Sequence, residues 1–304
     1  MSFDSIVSRL RSALPELSIL EHEPMARHTS FRIGGPVRAL VQPASLAEAE
    51  TVCRVLRESG VKPLVLGNGT NLLVTDQPLE RVAVQFGERM SAIAPAGDDG
   101  LCAQAGVTLA KLAAEAQKRK LAGLEFAHGI PGSLGGGVSM NAGAYGGELK
   151  DVVVATRYLD ENLNLAECVG AAHDFAYRHS AFSDTDCVIL ESTIRLTPDD
   201  PAAILERMMT LREKRRASQP LDMPSAGSTF KRPVGGYAAA LIDQAGLKGY
   251  AIGGAQVSEK HGGFVINRGG ATFDDVLRLI AHIQETVFQM SGIALETEVK
   301  IIHE

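Results

Sequence analysis

The stretch Lys62-Pro-Leu-Val-Leu-Gly-Asn-Gly-Thr-Asn-Leu-Leu-Val74 decides how the fold is read. Apolar residues run up to Leu66, a glycine loop follows at Gly67-Asn-Gly-Thr-Asn71, and Leu72-Leu-Val74 is apolar again. After a turn comes Val82-Ala-Val-Gln-Phe86, so the chain reads strand, glycine loop, strand, with no helix behind the loop. Gly67 and Gly69 invite a dinucleotide fingerprint. That fingerprint needs a third glycine where Leu72 stands, and a helix N-terminus to receive the pyrophosphate. Both are missing, which argues against a Rossmann site. Two readings of the loop stay open. One is a tight turn between strands, the commoner case; the other is a nest of consecutive backbone N–H groups that holds an anion without a helix.

Outward from the loop, apolar residues recur at helical spacing over residues 4–14 and 46–58, with a short strand at Arg38–Gln42 between them. Residues 108–120 return to helix. Residues 129–147 then hold eight glycines in nineteen positions. So much glycine costs too much entropy for a regular helix or strand, and is read as backbone that must come close to something. Residues 151–198 are strand-like. The composition changes at Pro198-Asp-Asp-Pro201, where the main domain boundary is placed, and a helical segment runs from Ala202 to Ala217. A last helix is expected from the N-cap Thr272 to Gly292, with Val276, Leu279, Ile280, Ile283 and Val287 on one face. A final strand, Ala294 to Ile302, alternates Leu295, Thr297, Val299 and Ile301 against Glu296, Glu298 and Lys300. The class is α+β.

Composition bounds the function. The 304 residues suggest about two domains. The net charge of −6 speaks against a nucleic-acid binder working by bulk charge, and 5% aromatic residues with no Trp speak against base stacking. The N-terminal stretch MSFDSIVSRLRSALPEL lacks an unbroken apolar core, so no secretory signal is expected. No apolar run approaches the roughly 20 residues of a membrane span. Cys53, Cys102, Cys168 and Cys187 form no C-x-x-C pair and are expected as buried free thiols. A cytoplasmic protein is expected. The eight histidines show no ligand spacing, so no metal is expected.

Two more motifs carry possible chemistry. Ser228-Thr-Phe-Lys231 matches S-x-x-K, the acylating motif of penicillin-recognising enzymes. Pro233 and Gly235-Gly236 make the required helix improbable, and the partner motifs are absent. Ser228 remains a candidate proton donor or phosphate contact, against the plainer reading of a loop serine bonding the local backbone. Arg212-Glu-Lys-Arg-Arg216, with Lys231-Arg232 downstream, reads either as a solvated helix end or as a phosphate clamp; in isolation the first is favoured.

Nine stretches taken together resemble one family. They are His28-Thr-Ser-Phe-Arg-Ile-Gly-Gly-Pro36, Leu66-Gly-Asn-Gly-Thr-Asn-Leu-Leu73, Gly123-Leu-Glu125, Gly129-Ile-Pro-Gly-Ser-Leu-Gly-Gly136, Met140-Asn-Ala-Gly-Ala-Tyr-Gly146, Tyr177-Arg-His-Ser-Ala-Phe182, Ser225-Ala-Gly-Ser-Thr-Phe-Lys231, Val257-Ser-Glu-Lys-His261 and Leu295-Glu-Thr-Glu-Val299. Their order resembles that of the UDP-N-acetylenolpyruvoylglucosamine reductases (UDP-N-acetylmuramate dehydrogenases, MurB), in the compact type II form. The resemblance implies the FAD-binding fold of the vanillyl-alcohol oxidase (PCMH) type. It further implies two α+β subdomains over residues 1–75 and 76–198, with the C-terminal strand 294–304 packing on the first. A smaller α+β substrate-binding domain would occupy 199–304.

The same resemblance implies that Gly67, Asn68, Gly69, Thr70 and Asn71 wrap the FAD pyrophosphate. Ile130, Pro131, Gly132, Gly135, Gly136, Asn141, Ala142 and Gly143 would approach the flavin or its ribityl chain. NADPH would reduce FAD, and N5 of the flavin would then pass a hydride to C3 of the enolpyruvyl ether of the UDP-sugar. Ser228 would protonate C2, Arg178 would stabilise the developing charge, and Glu298 would be its acid partner. Tyr177, Lys214, Lys231 and Arg232 are the expected substrate contacts. Two departures are noted: Gly137 where the family often has Ala, and Arg232 where several members have Asn. Another oxidoreductase of the same flavin fold, or an inert nucleotide-sugar binding protein, are the alternatives.

Overall fold

The computed structural model describes residues 3–303. They form two compact units, each assembled from separate stretches of chain. The first comprises the segments up to His22, Arg38–Asn68 and Arg81–Glu213; the second comprises Glu23–Val37, Gly69–Glu80 and the chain from Lys214 onward. The chain thus passes from one unit to the other inside the glycine loop, and again within the helix Pro201–Ser218.

In the first unit, a four-stranded sheet orders Ser18–Pro24, Pro36–Gln42, Leu79–Gln85 and Leu64–Leu66. The last pair runs parallel, with Leu64 opposite Ala83 and Leu66 opposite Gln85. A five-stranded antiparallel sheet orders Leu165–Val169, Val153–Leu159, Val188–Arg195, Gly100–Gln104 and Ile93–Pro95. The helices Phe3–Ala13, Leu46–Glu58 and Leu109–Lys118 bury one apolar face each in the unit's core, around Ile6, Leu10, Val52, Leu56, Leu109 and Leu112. Two of them begin on side-chain caps: Ser45 Oγ accepts the Glu48 N–H and Thr108 Oγ1 accepts the Lys111 N–H, both at 3.1 Å.

In the second unit, the antiparallel strands Ala251–Ile252, Ala255–Val257 and Val265–Asn267 pack with the helix Phe273–Ser291. That helix is the one its sequence announces. Thr272 Oγ1 accepts the Asp275 N–H and Asp275 accepts the Thr272 N–H, each at 3.1 Å, and Gly292 ends the helix at φ 69°. Val276, Leu279, Ile280, Ile283 and Val287 are all buried. The strand Lys300–Ile302 runs parallel to Leu72–Val74. The two strands flanking the glycine loop therefore belong to different sheets.

Two expectations need correction. Within the glycine-rich stretch, Leu134–Ser139 is an α-helix despite three consecutive glycines. Tertiary contacts outweigh the entropic cost: the amides of Leu134 and Gly135 bond the carbonyls of Val107 and Ala105 at 2.8 and 2.9 Å. A Cβ at Gly135 would lie 2.9 Å from that of Ala105, and one at Gly137 only 2.8 Å from Leu149 Cδ1, so the bare backbone allows the close packing. The final strand is also shorter than expected. Only Lys300–Ile302 joins a ladder; upstream there is a single bridge between Phe230 and Thr297. Leu295 and Val299 are buried as the alternation requires, but the Thr229 carbonyl takes the amides of both Glu298 and Val299, which breaks the regular pairing.

Candidate functional site

The glycine loop turns three of its carbonyls to the protein, and among the described residues its amides have no partner. Gly67 O accepts from Gln85 Nε2 at 3.2 Å, Gly69 O from the Ser30 amide at 3.2 Å, and Asn71 O from the Lys300 amide at 3.0 Å. Among the described residues, none of the amide N–H groups of Gly67, Asn68, Gly69, Thr70 and Asn71 donates a hydrogen bond. Gly69 is buried, and a buried unpaired N–H costs about 1–3 kcal/mol unless a ligand accepts it. A run of such donors is a nest for an anion, and a pyrophosphate fits it in charge and in acceptor number. Glycine is needed at both ends of the approach. In the first unit a Cβ at Gly67 would overlap Ser133 Oγ; in the second, a Cβ at Gly69 (φ 59°) would overlap the His28 carbonyl oxygen.

The Gly67–Ser133 contact brings the second glycine stretch to the first. Pro131 and Gly136 are exposed, Ile130, Gly132 and Gly135 half-buried, and Gly132 O is anchored by the Leu109 amide at 3.0 Å. Just before them lies His128, whose buried Nδ1 has no partner among the described residues. Burial, and then the charge of Arg212, lower its pKa. Motif reading passed over this histidine because it lies just outside the quoted Gly129–Gly136 stretch.

Asn141, Ala142 and Gly143 form the next turn. Asn141 is fully buried at φ 45°, and its amide is committed to the protein: Nδ2 donates to Glu148 Oε2 at 3.0 Å and to the Ala176 carbonyl at 2.9 Å, while Oδ1 accepts from the Lys150 amide at 2.9 Å. Ala142 bonds Gly137 and Leu149 through its backbone at 2.8 and 3.0 Å. Tyr177 and Arg178 occupy the centre of a tight turn closed by Ala176 and His179. Arg178 sits at φ 55°, a conformation that costs a side-chain-bearing residue energy and clusters at functional positions. Its guanidinium lies 5.0 Å from the centre of the Tyr177 ring and reaches the Gly143 carbonyl at 3.5 Å.

The second unit gathers Asn71, Ser228, Lys231 and Glu298. Thr229 is held between the Gly263 carbonyl, which takes its amide at 2.8 Å, and Glu298, whose amide bonds the Thr229 carbonyl at 2.8 Å. Residues 228–231 contain no helical turn, so the S-x-x-K helix does not form. Ser228 is half-buried, and among the described residues its hydroxyl has no hydrogen-bond partner. Glu298 is half-buried, rather than on a fully solvated face. Lys231 pairs with the Glu296 carboxylate, so its charge is partly compensated. Arg232 stacks on Tyr237 at 4.7 Å, and Lys214 is exposed on its helix. Among the described residues no group of three metal-ligating side chains occurs, no helix is long and apolar enough to cross a membrane, and all four cysteines are free; Cys53 and Cys168 are buried as expected, whereas Cys102 and Cys187 are only half-buried.

Known proteins resemble this chain along most of its length. A family model described as "UDP-N-acetylenolpyruvoylglucosamine reductase, C-terminal domain" matches residues 219–302, and one described as "FAD binding domain" matches residues 37–168. A protein of Caldanaerobacter subterraneus named UDP-N-acetylenolpyruvoylglucosamine reductase is 46% identical over 299 residues, covering 98% of each chain. One of the same name from Agathobacter rectalis is 44% identical over 311 residues, covering 99% of each. The crystal structure of that reductase from Thermus caldophilus superposes with a TM-score of 0.79 at 31% identity, covering 94% of this chain and 99% of the other. Alkyldihydroxyacetonephosphate synthase, at 17% identity and a TM-score of 0.51 over 65% of this chain and 41% of its own, shares the fold alone. The α+β fold is thus the FAD-binding fold of the vanillyl-alcohol oxidase type. With likeness running nearly end to end, the chain belongs to the family of UDP-N-acetylenolpyruvoylglucosamine reductases.

Proposed function

We propose that this protein reduces UDP-N-acetylglucosamine enolpyruvate to UDP-N-acetylmuramate, with FAD as bound cofactor and NADPH as reductant, in peptidoglycan precursor synthesis in the cytoplasm. The observation that carries this reading is the run of unpaired amides at Gly67–Asn71, in a chain that matches such reductases over 98% of its length.

FAD, when bound, supplies the hydride relay between NADPH and C3 of the enolpyruvyl ether. The protein's part is binding, orientation and the proton. The amides of residues 67–71 would hold the pyrophosphate, and the backbone of Ile130, Pro131, Gly132, Gly135, Gly136 and Asn141–Gly143 would receive the flavin and ribityl chain. Hydride at C3 leaves negative charge at C2 and the adjoining carboxylate. Arg178 stabilises that charge, with Glu298 as its acid partner, and the Ser228 hydroxyl delivers the proton to C2. A hydroxyl without a protein acceptor is free to point its proton at substrate. Tyr177, Lys214, Lys231 and Arg232 contact the UDP-sugar. In this reading residues 1–75 and 76–198 serve the flavin and 199–304 the sugar nucleotide.

The purified protein tests it. Anaerobic NADPH is expected to bleach the visible flavin band, and the enolpyruvyl sugar to restore it. A colourless protein that takes up no added FAD overturns the reading. Rapid turnover with oxygen and no response to the UDP-sugar favours another oxidoreductase of the same fold.

A further inference from the structure

The geometry points to Asn141 and Glu148 as positioning residues that set the orientation and charge balance of Arg178. This rests on the reading of Arg178 as the group that meets the substrate's developing negative charge.

Three observations carry it. First, the turn that presents Arg178 is held from below. The Ala176 carbonyl closes the turn by accepting from the His179 amide at 3.2 Å, and it also accepts from the buried Asn141 Nδ2 at 2.9 Å. A residue at φ 55° needs such outside support, because its own conformation is unfavourable. Second, the other Asn141 N–H goes to Glu148 Oε2 at 3.0 Å, so one buried amide ties the Arg178 turn to a specific carboxylate. Both Asn141 donors are used, and its oxygen is fixed by the Lys150 amide. The brace therefore has one geometry, with no spare bond to rearrange.

Third, Glu148 stands opposite Gly143, whose carbonyl Arg178 reaches, and its carboxyl is held in the ionised form. The Lys150 ammonium, at 2.7 Å, is the first cause that holds its carboxyl below the usual range; the Asn141 hydrogen bond and the Arg178 charge add to it. The backbone of Glu148 is fixed independently. Its amide bonds Asp151 at 2.9 Å, and it sits on a hairpin, Gly143–Ala144 paired with Gly147–Glu148, whose central Tyr145 and Gly146 both have positive φ. That hairpin also supplies the Gly143 carbonyl that Arg178 reaches. The Gly143 carbonyl that the guanidinium reaches and Glu148, the ladder partner of Gly143, are thus carried on one hairpin.

Two functional consequences follow. Arg178 is pre-oriented, which favours the transition state over loose ground-state binding. Glu148 also carries the same sign as the substrate's carboxylate, so it weakens ground-state attraction to Arg178. Sequence spacing hides the arrangement, because Asn141, Glu148 and Ala176 meet only across the fold.

Asn141→Ala strips the Ala176 carbonyl and Glu148 of a buried donor and risks unfolding, so Glu148→Gln carries the test: it keeps the shape and the acceptor but removes the charge. In the FAD-loaded enzyme, anaerobic bleaching by NADPH is expected to stay at the wild-type rate. Reoxidation at saturating enolpyruvyl sugar is expected to slow by on the order of ten- to a hundredfold. KM for the sugar is expected to fall, and titration calorimetry of the oxidised holoenzyme with UDP-N-acetylmuramate to show tighter binding. Unchanged kcat and KM in the sugar half-reaction, or equal slowing of both half-reactions, overturns the proposal. Arg178→Lys separates the two ideas. If it leaves the sugar half-reaction intact, the reading of Arg178 fails. If it slows that step and Glu148→Gln does not, only the positioning role fails.

Discussion

Asn71 Nδ2 donates to the carbonyl oxygen of Glu298 at 3.0 Å, across 227 residues of chain. The last residue of the glycine loop thereby fixes the segment that carries a proposed catalytic carboxylate and lies against Thr229, the neighbour of Ser228. Asn71 of the proposed cofactor loop and the segment beside Ser228 share one hydrogen-bonded frame within the second unit. Asn71→Ala is expected to cost about 1 kcal/mol of stability. It should slow the sugar half-reaction more than the NADPH half-reaction, as stopped-flow absorbance of the flavin would record.

Ser228→Ala removes the proposed proton donor without touching the loop. Bleaching by NADPH should persist, and reoxidation by the enolpyruvyl sugar should fall by roughly 10²–10⁴-fold. Equal loss of both half-reactions would refute the assigned role.

Gly69→Ala is expected to fail at the cofactor. The new Cβ would overlap the His28 carbonyl oxygen and sit on a backbone at φ 59°. The strain, about 1–3 kcal/mol, is relieved only by moving the loop, so the ratio of flavin to protein absorbance after purification should drop. A full flavin complement in this variant would contradict the backbone nest.

Acidification should destabilise the protein in two stages. Burial is the first cause that lowers the pKa of both His128 and His261, so both favour the neutral form when folded. Below the ordinary histidine value of about 6.5 the unfolded chain binds more protons than the folded one, and stability falls as pH drops towards the folded values. Glu148 and Asp275 follow: hydrogen bonds hold their carboxyls low, so their contribution is present above ordinary carboxylate values and lost as pH falls through the folded ones. Thermal unfolding from pH 7 to 5 should show the histidine stage, and His261→Gln should flatten it.

Cys53 should be inert in the native state. Burial, and then the Glu50 charge, push its thiol up to about 12, leaving almost no thiolate at neutral pH. An aromatic disulfide reagent should modify it only after unfolding; rapid native reaction at Cys53 would contradict its burial.

Local signals in the sequence translated directly into structure. Leu46–Glu58 and Phe273–Ser291 carry their caps and apolar faces within one contiguous stretch, so spacing alone located them. The helix Leu134–Ser139 escaped that reading, because its stability comes from Ala105, Val107 and Leu149, which lie outside the stretch itself. The proposed site divides the same way. Its glycines and the Tyr177-Arg178 and Ser228–Lys231 motifs were legible by resemblance, whereas His128 and the Asn141–Glu148 brace carried no spacing signal.

The sequence by itself determined the α+β class, the strand–loop–strand form around Gly67–Asn71, and the family, because these depend on local order and on motifs read one after another. Only the tertiary structure decided that Leu64–Leu66 and Leu72–Val74 join different sheets, the second beside Lys300–Ile302. It alone showed that the carbonyls of Gly67, Gly69 and Asn71 are taken while, among the described residues, the loop's amides have no partner. Both follow from hydrogen-bond partners supplied by distant chain, such as Gln85, Ser30 and Lys300, whose arrival no local pattern encodes.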